Sequence, residues 1–97
     1  MTKRVQLFTR DLLFRAKLAA TVRATGAVVV GAEPCDLVVV ELGSNGWEDL
    51  IRGFVLRRIA VLAFGSHVDP SALRAARELG ARAVPNSEVE NSLRALL

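Results

Sequence analysis

The sequence predicts an α/β domain in which a parallel sheet is covered by helices on both faces. Two segments, residues 35–42 and 58–70, each contain a short apolar run that is rich in β-branched residues and ends abruptly in polar residues or glycine. Such runs are typical of strands buried on both faces. Helical patterns lie between the runs, and an alternation of strands and helices favours a parallel sheet. Ligands normally bind such sheets at the carboxyl ends of the strands, so Glu41 and the turn at residues 65–67 are the first candidates for a functional site.

The first half of the sequence predicts three strands and one helix. Asp11 is suited to cap this helix, whose apolar and basic positions recur at helical spacing until Thr25 and Gly26 end it. The strands are predicted at residues 5–8, 27–30 and 37–42.

The second half predicts three helices and two strands. Trp47 and Phe54 lie seven residues apart on one face of the first of these helices, which follows a turn cluster of glycine, serine and asparagine. Asp69 and Pro70 begin the next helix, and Gly80 ends it. The helices are predicted at residues 47–56, 70–79 and 87–97, and the strands at residues 59–64 and 81–84.

The connection between the second and third strands is too short for the simple pattern. Two neighbouring parallel strands need a crossover of about a dozen residues, and only residues 31–36 lie between these two. We expect the helix normally found there to be reduced to an extended crossing or absent, because the other connections keep the α/β alternation. The alternative is that one of the two strands runs in another direction.

Length, charge and the single cysteine limit the class further. The 97 residues, 52% of them hydrophobic, suffice for one small domain over residues 1–97. The formal charge of +3 comes from basic residues that are scattered and accompanied by five aromatic residues, which disfavours nucleic-acid binding. Cys35 cannot form an internal disulfide, and no signal peptide or membrane span is recognisable, so we expect a cytoplasmic protein without membrane contact.

Four segments carry a resemblance to a known family: residues 7–15, 36–42, 61–66 and 75–81. In these segments and in the order of its elements, the sequence resembles the receiver domain of bacterial response regulators, a flavodoxin-like three-layer fold with five parallel strands in the order 2-1-3-4-5. The first two segments stand where receivers carry their acidic pocket and their phospho-acceptor strand. The other two resemble the fourth strand with its switch hydroxyl and the passage from a helix into the last strand. The resemblance covers nearly the whole chain.

The resemblance places a degenerate receiver pocket at Thr9, Arg10, Asp11, Glu41, Gly65, Ser66 and Asn86. Receiver chemistry needs an aspartate nucleophile, two further acids that hold a magnesium ion, a hydroxyl and a lysine. Glu41 stands at the acceptor position and is one methylene longer than aspartate, which would misplace an attacking oxygen. Thr9 and Arg10 stand at the positions of the two magnesium-binding acids. The positive charge of Arg10 repels a magnesium ion, and Asp11 is the only acid that remains beside them.

The hydroxyl and the lysine are also displaced. Gly65 stands at the hydroxyl position with Ser66 one residue later, and Asn86 stands at the lysine position. The resemblance therefore implies a pseudo-receiver, a signalling or protein-interaction module that has lost aspartyl phosphorylation and uses neither a cofactor nor catalysis. Two alternatives stay open: residual magnesium-dependent phospho-acceptor chemistry at Glu41 and Asp11, and a small nucleotide- or nucleic-acid-binding module. The second alternative is disfavoured, because the sequence has no glycine-rich phosphate loop after the first strand.

The charges of Arg10 and Glu41 raise a further hypothesis. Their predicted strands are neighbours that end at the same edge, so the guanidinium can pair with the carboxylate, replace the magnesium and phosphate charges, and hold one conformation. The alternative is that both side chains are solvated.

The loop at residues 65–69, together with the helix and the strand that follow it, is the predicted interaction surface. By resemblance, receivers transmit their state through this region, so we expect His67, Val68 and Asp69 to contact a protein partner, or a second copy of the chain in a homodimer. A hydrolytic set of Ser66, His67 and Asp69 is disfavoured, because neighbouring residues of one loop rarely point at one another. Asp69 is better suited to cap the next helix, and a lone histidine is poor support for a metal site.

Overall fold

Five parallel strands form the centre of the structure, a computed structural model that describes residues 2–97. The strands are β1 (Arg4–Phe8), β2 (Val28–Val30), β3 (Leu37–Glu41), β4 (Ala60–Gly65) and β5 (Arg82–Pro85). The helices are α1 (Leu12–Ala24), α2 (Trp47–Leu56), α3 (Pro70–Glu78) and α4 (Val89–Leu96), with a 3₁₀ turn at Asn86–Glu88 before α4. The sheet order is β2-β1-β3-β4-β5, which confirms the predicted flavodoxin-like fold.

The strands β3 and β4 are buried on both faces because each has a strand on either side and a helix layer above and below. Leu37 to Val40 of β3 are all buried, as are Val61 to Gly65 of β4. On one face, α1 and α4 pack around Leu18 and Leu93. On the other, α2 and α3 enclose a second core that includes Ile51. The continuous apolar runs in the sequence thus mark the strands at the middle of the sheet.

Both predicted aspartate caps are present. The carboxylate of Asp11 accepts hydrogen bonds from the amides of Leu13 at 2.9 Å and Phe14 at 3.1 Å, which begins α1. The carboxylate of Asp69 accepts one from the amide of Ala72 at 3.2 Å, with Pro70 in the first turn of α3. These two caps fix where the chain turns from strand to helix at the carboxyl edge of the sheet.

Several element bounds differ from the predicted ones by one or two residues. The fourth strand begins at Ala60, one residue later than predicted, because Arg58 adopts a φ of 61° and the Ile59 amide still bonds to the carbonyl of Phe54 at the end of α2. The last helix begins at Val89, two residues later than predicted, because the 3₁₀ turn precedes it. The remaining differences are of the same size.

The crossing between β2 and β3 contains no helix, as the short connection predicted. The last residue of β2, Val30, pairs with Gln6 of β1, and the first residue of β3, Leu37, pairs with Val5 on the other side of β1. The crossing therefore begins and ends at nearly the same level of the sheet. The crossing is held by β1 itself. The side chain of Gln6 donates to the carbonyl of Gly31 at 3.2 Å, and the amide of Arg4 donates to the carboxylate of Asp36 at 2.7 Å.

The missing helix leaves part of one sheet face uncovered. Gln6, Phe8 and Val30 are only half-buried, and Val28 is 41% exposed. Phe8 packs with the core on the α2 side, and Gln6, Val28 and Val30 face the same way because side chains alternate along a strand and paired residues share a face. The helices on this side, α2 and α3, pack against β3, β4 and β5. The edge of the sheet at β1 and β2 is therefore open on this face.

Candidate functional site

The predicted pocket residues lie at the ends of four neighbouring strands, at the carboxyl edge of the sheet. Phe8 pairs with Val40, Glu41 with Phe64, and Gly65 with Pro85, so the ends of β1, β3, β4 and β5 lie side by side. The structure brings Thr9, Arg10, Asp11 and Glu41 into direct contact. Gly65, Ser66 and Asn86 lie along the same edge but form no hydrogen bond with that group within residues 2–97.

Glu41 reaches from the end of β3 to the loop after β1. Its Oε1 atom accepts a hydrogen bond from the Thr9 hydroxyl at 2.6 Å, from the Arg10 amide at 2.8 Å and from the Asp11 amide at 3.4 Å. The side chain is half-buried, and the two amides lie at the N-terminal end of α1. Hydrogen bonds to a carboxylate are stronger than those between neutral groups, and a helix N-terminus favours negative charge. Glu41 therefore ties β3 to the β1–α1 loop.

Arg10 contacts Glu41 through its main chain and not through its guanidinium. Within residues 2–97, the ion pairs shorter than 4.0 Å are Arg52–Asp49, Arg57–Glu33 and Arg94–Glu90. The hypothesis of an Arg10–Glu41 ion pair is therefore wrong. Hydroxyl and amide donors hold Oε1, and the solvent-exposed Arg10 side chain keeps its guanidinium nitrogens more than 4.0 Å from both carboxylate oxygens. The alternative was that both side chains are solvated. The Arg10 side chain is solvated, whereas the Glu41 carboxylate binds the β1–α1 loop.

The residues at this edge do not fit the magnesium site that the receiver resemblance implies. Asp11 uses Oδ1 to cap α1, and Glu41 uses Oε1 to bind the loop. Arg10 brings a positive charge to the place where a second acid would stand. In the part of the chain that the structure describes, no three histidine, cysteine or carboxylate side chains are grouped as metal ligands. One carboxylate engaged by amides and one engaged as a cap make a poor set for a hard dication.

Gly65 allows β4 to approach the loop after β3. A Cβ atom at this position would lie 3.3 Å from both Cβ and Cδ1 of Leu42, which is tighter than ordinary van der Waals contact. Leu42 is buried, and its amide donates to the carbonyl of Phe64 at 2.8 Å. The side chain of Leu42 thus packs against the position at which the receiver resemblance would place a switch hydroxyl, a contact that the sequence did not reveal.

The loop between β4 and α3 is exposed throughout. Ser66, His67, Val68 and Asp69 are all exposed, and Val68 has 76% of its surface accessible. The Ser66 hydroxyl accepts a hydrogen bond from the Val68 amide at 3.2 Å, and Asp69 caps α3 as predicted. His67 forms no hydrogen bond within residues 2–97. The side chains of Ser66, His67 and Asp69 thus form no hydrogen bond with one another within residues 2–97.

A cavity of about 360 Å³ opens beside Glu41. It is lined by Leu7, Phe8, Thr9, Arg10, Glu41, Ser44, Asn45 and Leu50. The sequence pattern predicts only a turn at Ser44 and Asn45 and no site at Leu50. The short connection between β2 and β3 could have pointed to these residues, because a missing helix leaves β1 uncovered and opens space between β1 and the turn before α2.

Cys35 lies in the crossing and is half-buried. Burial raises the pKa of its thiol, and the nearby carboxylates of Glu33 and Asp36 raise it further, outweighing the opposite effect of Arg4. A thiol with a raised pKa has little thiolate at neutral pH, so Cys35 is a poor nucleophile.

Solved structures of response-regulator receiver domains share this fold. The BeF3-activated DrrB receiver domain superposes with a TM-score of 0.82 and 16% identity, over 99% of this chain and 94% of that one. A response regulator from Thermotoga maritima gives 0.81 and 17% identity, over 99% and 94% of the two chains. The CheY-like protein TadZ from Pseudomonas aeruginosa gives 0.79 and 20% identity, over 98% and 96%. The chain thus has the fold of receiver domains.

No protein-family model and no curated protein matches the chain. Among residues 2–97, none of the helices combines the length and the apolar character needed to cross a membrane.

Proposed function

We propose that residues 1–97 form a receiver-like signalling module that acts through protein contacts without aspartyl phosphorylation. The observation that carries this proposal is the Glu41 carboxylate, whose Oε1 accepts three hydrogen bonds from the β1–α1 loop. A phospho-acceptor must present a free carboxylate oxygen in line with the incoming phosphoryl group. In Glu41 only Oε2 is free, and because the loop fixes Oε1 and the side chain is one methylene longer than aspartate, we expect Oε2 to lie out of line for attack.

The surroundings of Glu41 support the same conclusion. Arg10 and the capped Asp11 give no pair of acids for magnesium, and the side chain of Leu42 fills the space beside Gly65. A receiver changes state when a hydroxyl and a lysine follow the phosphoryl group, and neither stands at its position here. The β1–α1 loop is held in one arrangement by the protein's own carboxylate, so the module keeps a fixed state.

The β4–α3 loop and α3 supply the contact surface of the proposed module. Val68 is a large apolar residue that is 76% exposed, with the exposed His67 beside it and the exposed Arg74 on α3. Exposed apolar side chains with polar neighbours are typical of protein interfaces. The partner is another protein or a second copy of this chain, and the module works in the cytoplasm, where two-component signalling takes place.

The test is an amide NMR titration of the full chain with magnesium and then beryllofluoride, a mimic of the phosphoryl group. The BeF3-activated DrrB receiver domain is the positive control, because its solved structure is described as activated by this reagent. We expect no saturable shifts at Asp11, Glu41 and Ser66. Saturable shifts at these three amides would show a working acceptor site and would overturn the proposal.

A further inference from the structure

The cavity beside Glu41 exists because no helix covers β1 on the α2 side of the sheet. Phe8 and Leu50 are half-buried and give the cavity apolar walls, while Asn45 on the turn before α2 forms part of its rim. Its volume of about 360 Å³ lies within the range of about 300–1,000 Å³ that is usual for small-molecule sites. The cavity is therefore large enough for a ligand of amino-acid size.

Two residues of opposite charge, Arg10 and Glu41, line this cavity and do not form an ion pair with each other. The Arg10 guanidinium is exposed and has no carboxylate within 4.0 Å among residues 2–97. Glu41 uses only Oε1 for the β1–α1 loop, and its Oε2 accepts no hydrogen bond from the described residues. Since no buried side-chain nitrogen or oxygen in residues 2–97 lacks a partner, Oε2 is accessible from outside.

We propose that this cavity binds a free α-amino acid with an apolar side chain. The ligand's ammonium group donates to Oε2 of Glu41, and its carboxylate accepts from the guanidinium of Arg10. The apolar side chain lies against Phe8 and Leu50. A zwitterion carries both a positive and a negative group, so it can pair with the Glu41 carboxylate and with the Arg10 guanidinium at the same time. This inference does not depend on the proposed function, since Oε1 keeps its three hydrogen bonds.

Three matched compounds test the inference by amide NMR titration of the full chain: L-leucine, L-leucinamide and 4-methylpentanoate. Leucinamide lacks the carboxylate, and 4-methylpentanoate lacks the ammonium group. We expect leucine to give saturable shifts at the amides of Phe8, Arg10, Asn45 and Leu50. The dissociation constant of each of the other two compounds should be at least about three times that of leucine, as expected for the loss of one partly exposed charge contact. Glycine, which lacks the apolar side chain, should bind more weakly than leucine.

A pair of arginine variants tests the assigned role of Arg10. Arg10→Gln removes the guanidinium and keeps the amide that bonds to Glu41, so the fold is retained. It should weaken leucine binding about threefold and leave leucinamide binding unchanged. Arg23→Gln changes an exposed arginine near the other end of α1 and should alter neither. The inference is overturned if leucine gives no saturable shifts at the four amides, if leucinamide and 4-methylpentanoate bind as tightly as leucine, or if Arg10→Gln has no effect.

Discussion

At the scale of single residues, Glu41 and Gly65 determine what the carboxyl edge of the sheet can do. Glu41 is half-buried, and its carboxylate accepts hydrogen bonds from a hydroxyl and two amides of the β1–α1 loop. Gly65 lets β4 pass close to Leu42, whose side chain would lie 3.3 Å from an added Cβ. Glu41 thus holds the β1–α1 loop to β3, and Gly65 leaves room for the side chain of Leu42.

The contact between Gly65 and Leu42 gives a prediction about stability. Gly65→Ala should lower the free energy of unfolding by about 1 kcal/mol, because an extra methyl group in a packed site forces its neighbours to move. The matched control is Gly31→Ala, since an added Cβ there meets nothing within 4 Å and the residue does not have a positive φ. Urea denaturation measures both. Equal stability of the two variants would show that Leu42 moves aside without cost.

The sequence predicted which residues lie at this edge but not what their side chains do. The ends of parallel strands meet by topology, so Thr9, Arg10, Asp11 and Glu41 could be grouped from strand positions alone. Whether a carboxylate bonds to a guanidinium or to backbone amides depends on side-chain conformation. The strand pattern contains no information on that choice, which is why the predicted ion pair is wrong.

At the scale of elements, the crossing between β2 and β3 distinguishes this structure from a complete α/β alternation. Its end is joined to β1 by two hydrogen bonds between Arg4 and Asp36, one from the Arg4 amide to the carboxylate at 2.7 Å and one from the Asp36 amide to the Arg4 carbonyl at 2.8 Å. The short connection predicted the missing helix. The route could not be predicted, because it depends on the register of β2 and β3 on β1.

The role of Asp36 in the crossing can be measured. Asp36→Ala should lower the free energy of unfolding by about 1 kcal/mol and speed hydrogen exchange at the Arg4 amide, since a backbone donor loses its partner. Asp49→Ala is the control, because Asp49 is exposed and, among residues 2–97, its side chain forms a hydrogen bond only with Arg52 of the same helix. That change should cost less than about 0.5 kcal/mol. Unchanged exchange at Arg4 in the Asp36 variant would contradict the role given to this residue.

At the scale of the whole molecule, the resemblance predicted the sheet order correctly, because the order of strands and helices can be recognised in a sequence whose functional groups differ from those of receivers. The cavity was not predicted, since it arises from the uncovered face of β1 together with the turn before α2. The exposed Val68 lies on the loop between β4 and α3, at the surface through which we propose that the molecule associates.

Association through Val68 predicts the behaviour of a charge variant. Val68→Asp should weaken homodimerisation by more than about tenfold, because a charge at the centre of an apolar contact is left desolvated. Leu56→Asp is the control, since Leu56 is 82% exposed but lies at the end of α2, outside the proposed surface. Sedimentation velocity over a range of concentrations measures both. A wild-type chain that stays monomeric, or equal effects of the two changes, would contradict homodimerisation through this loop.

The measurement that tests the central claim most directly is a double-mutant cycle between Thr9 and Glu41. Thr9→Val removes the hydroxyl at nearly constant shape, and Glu41→Met removes the carboxylate at similar length. If the carboxylate holds the β1–α1 loop, each single change lowers the free energy of unfolding, and the coupling energy is about 1 kcal/mol or more. A coupling energy near zero would mean that Glu41 does not hold the loop, and the fixed state proposed for this receiver-like module would lose its physical basis.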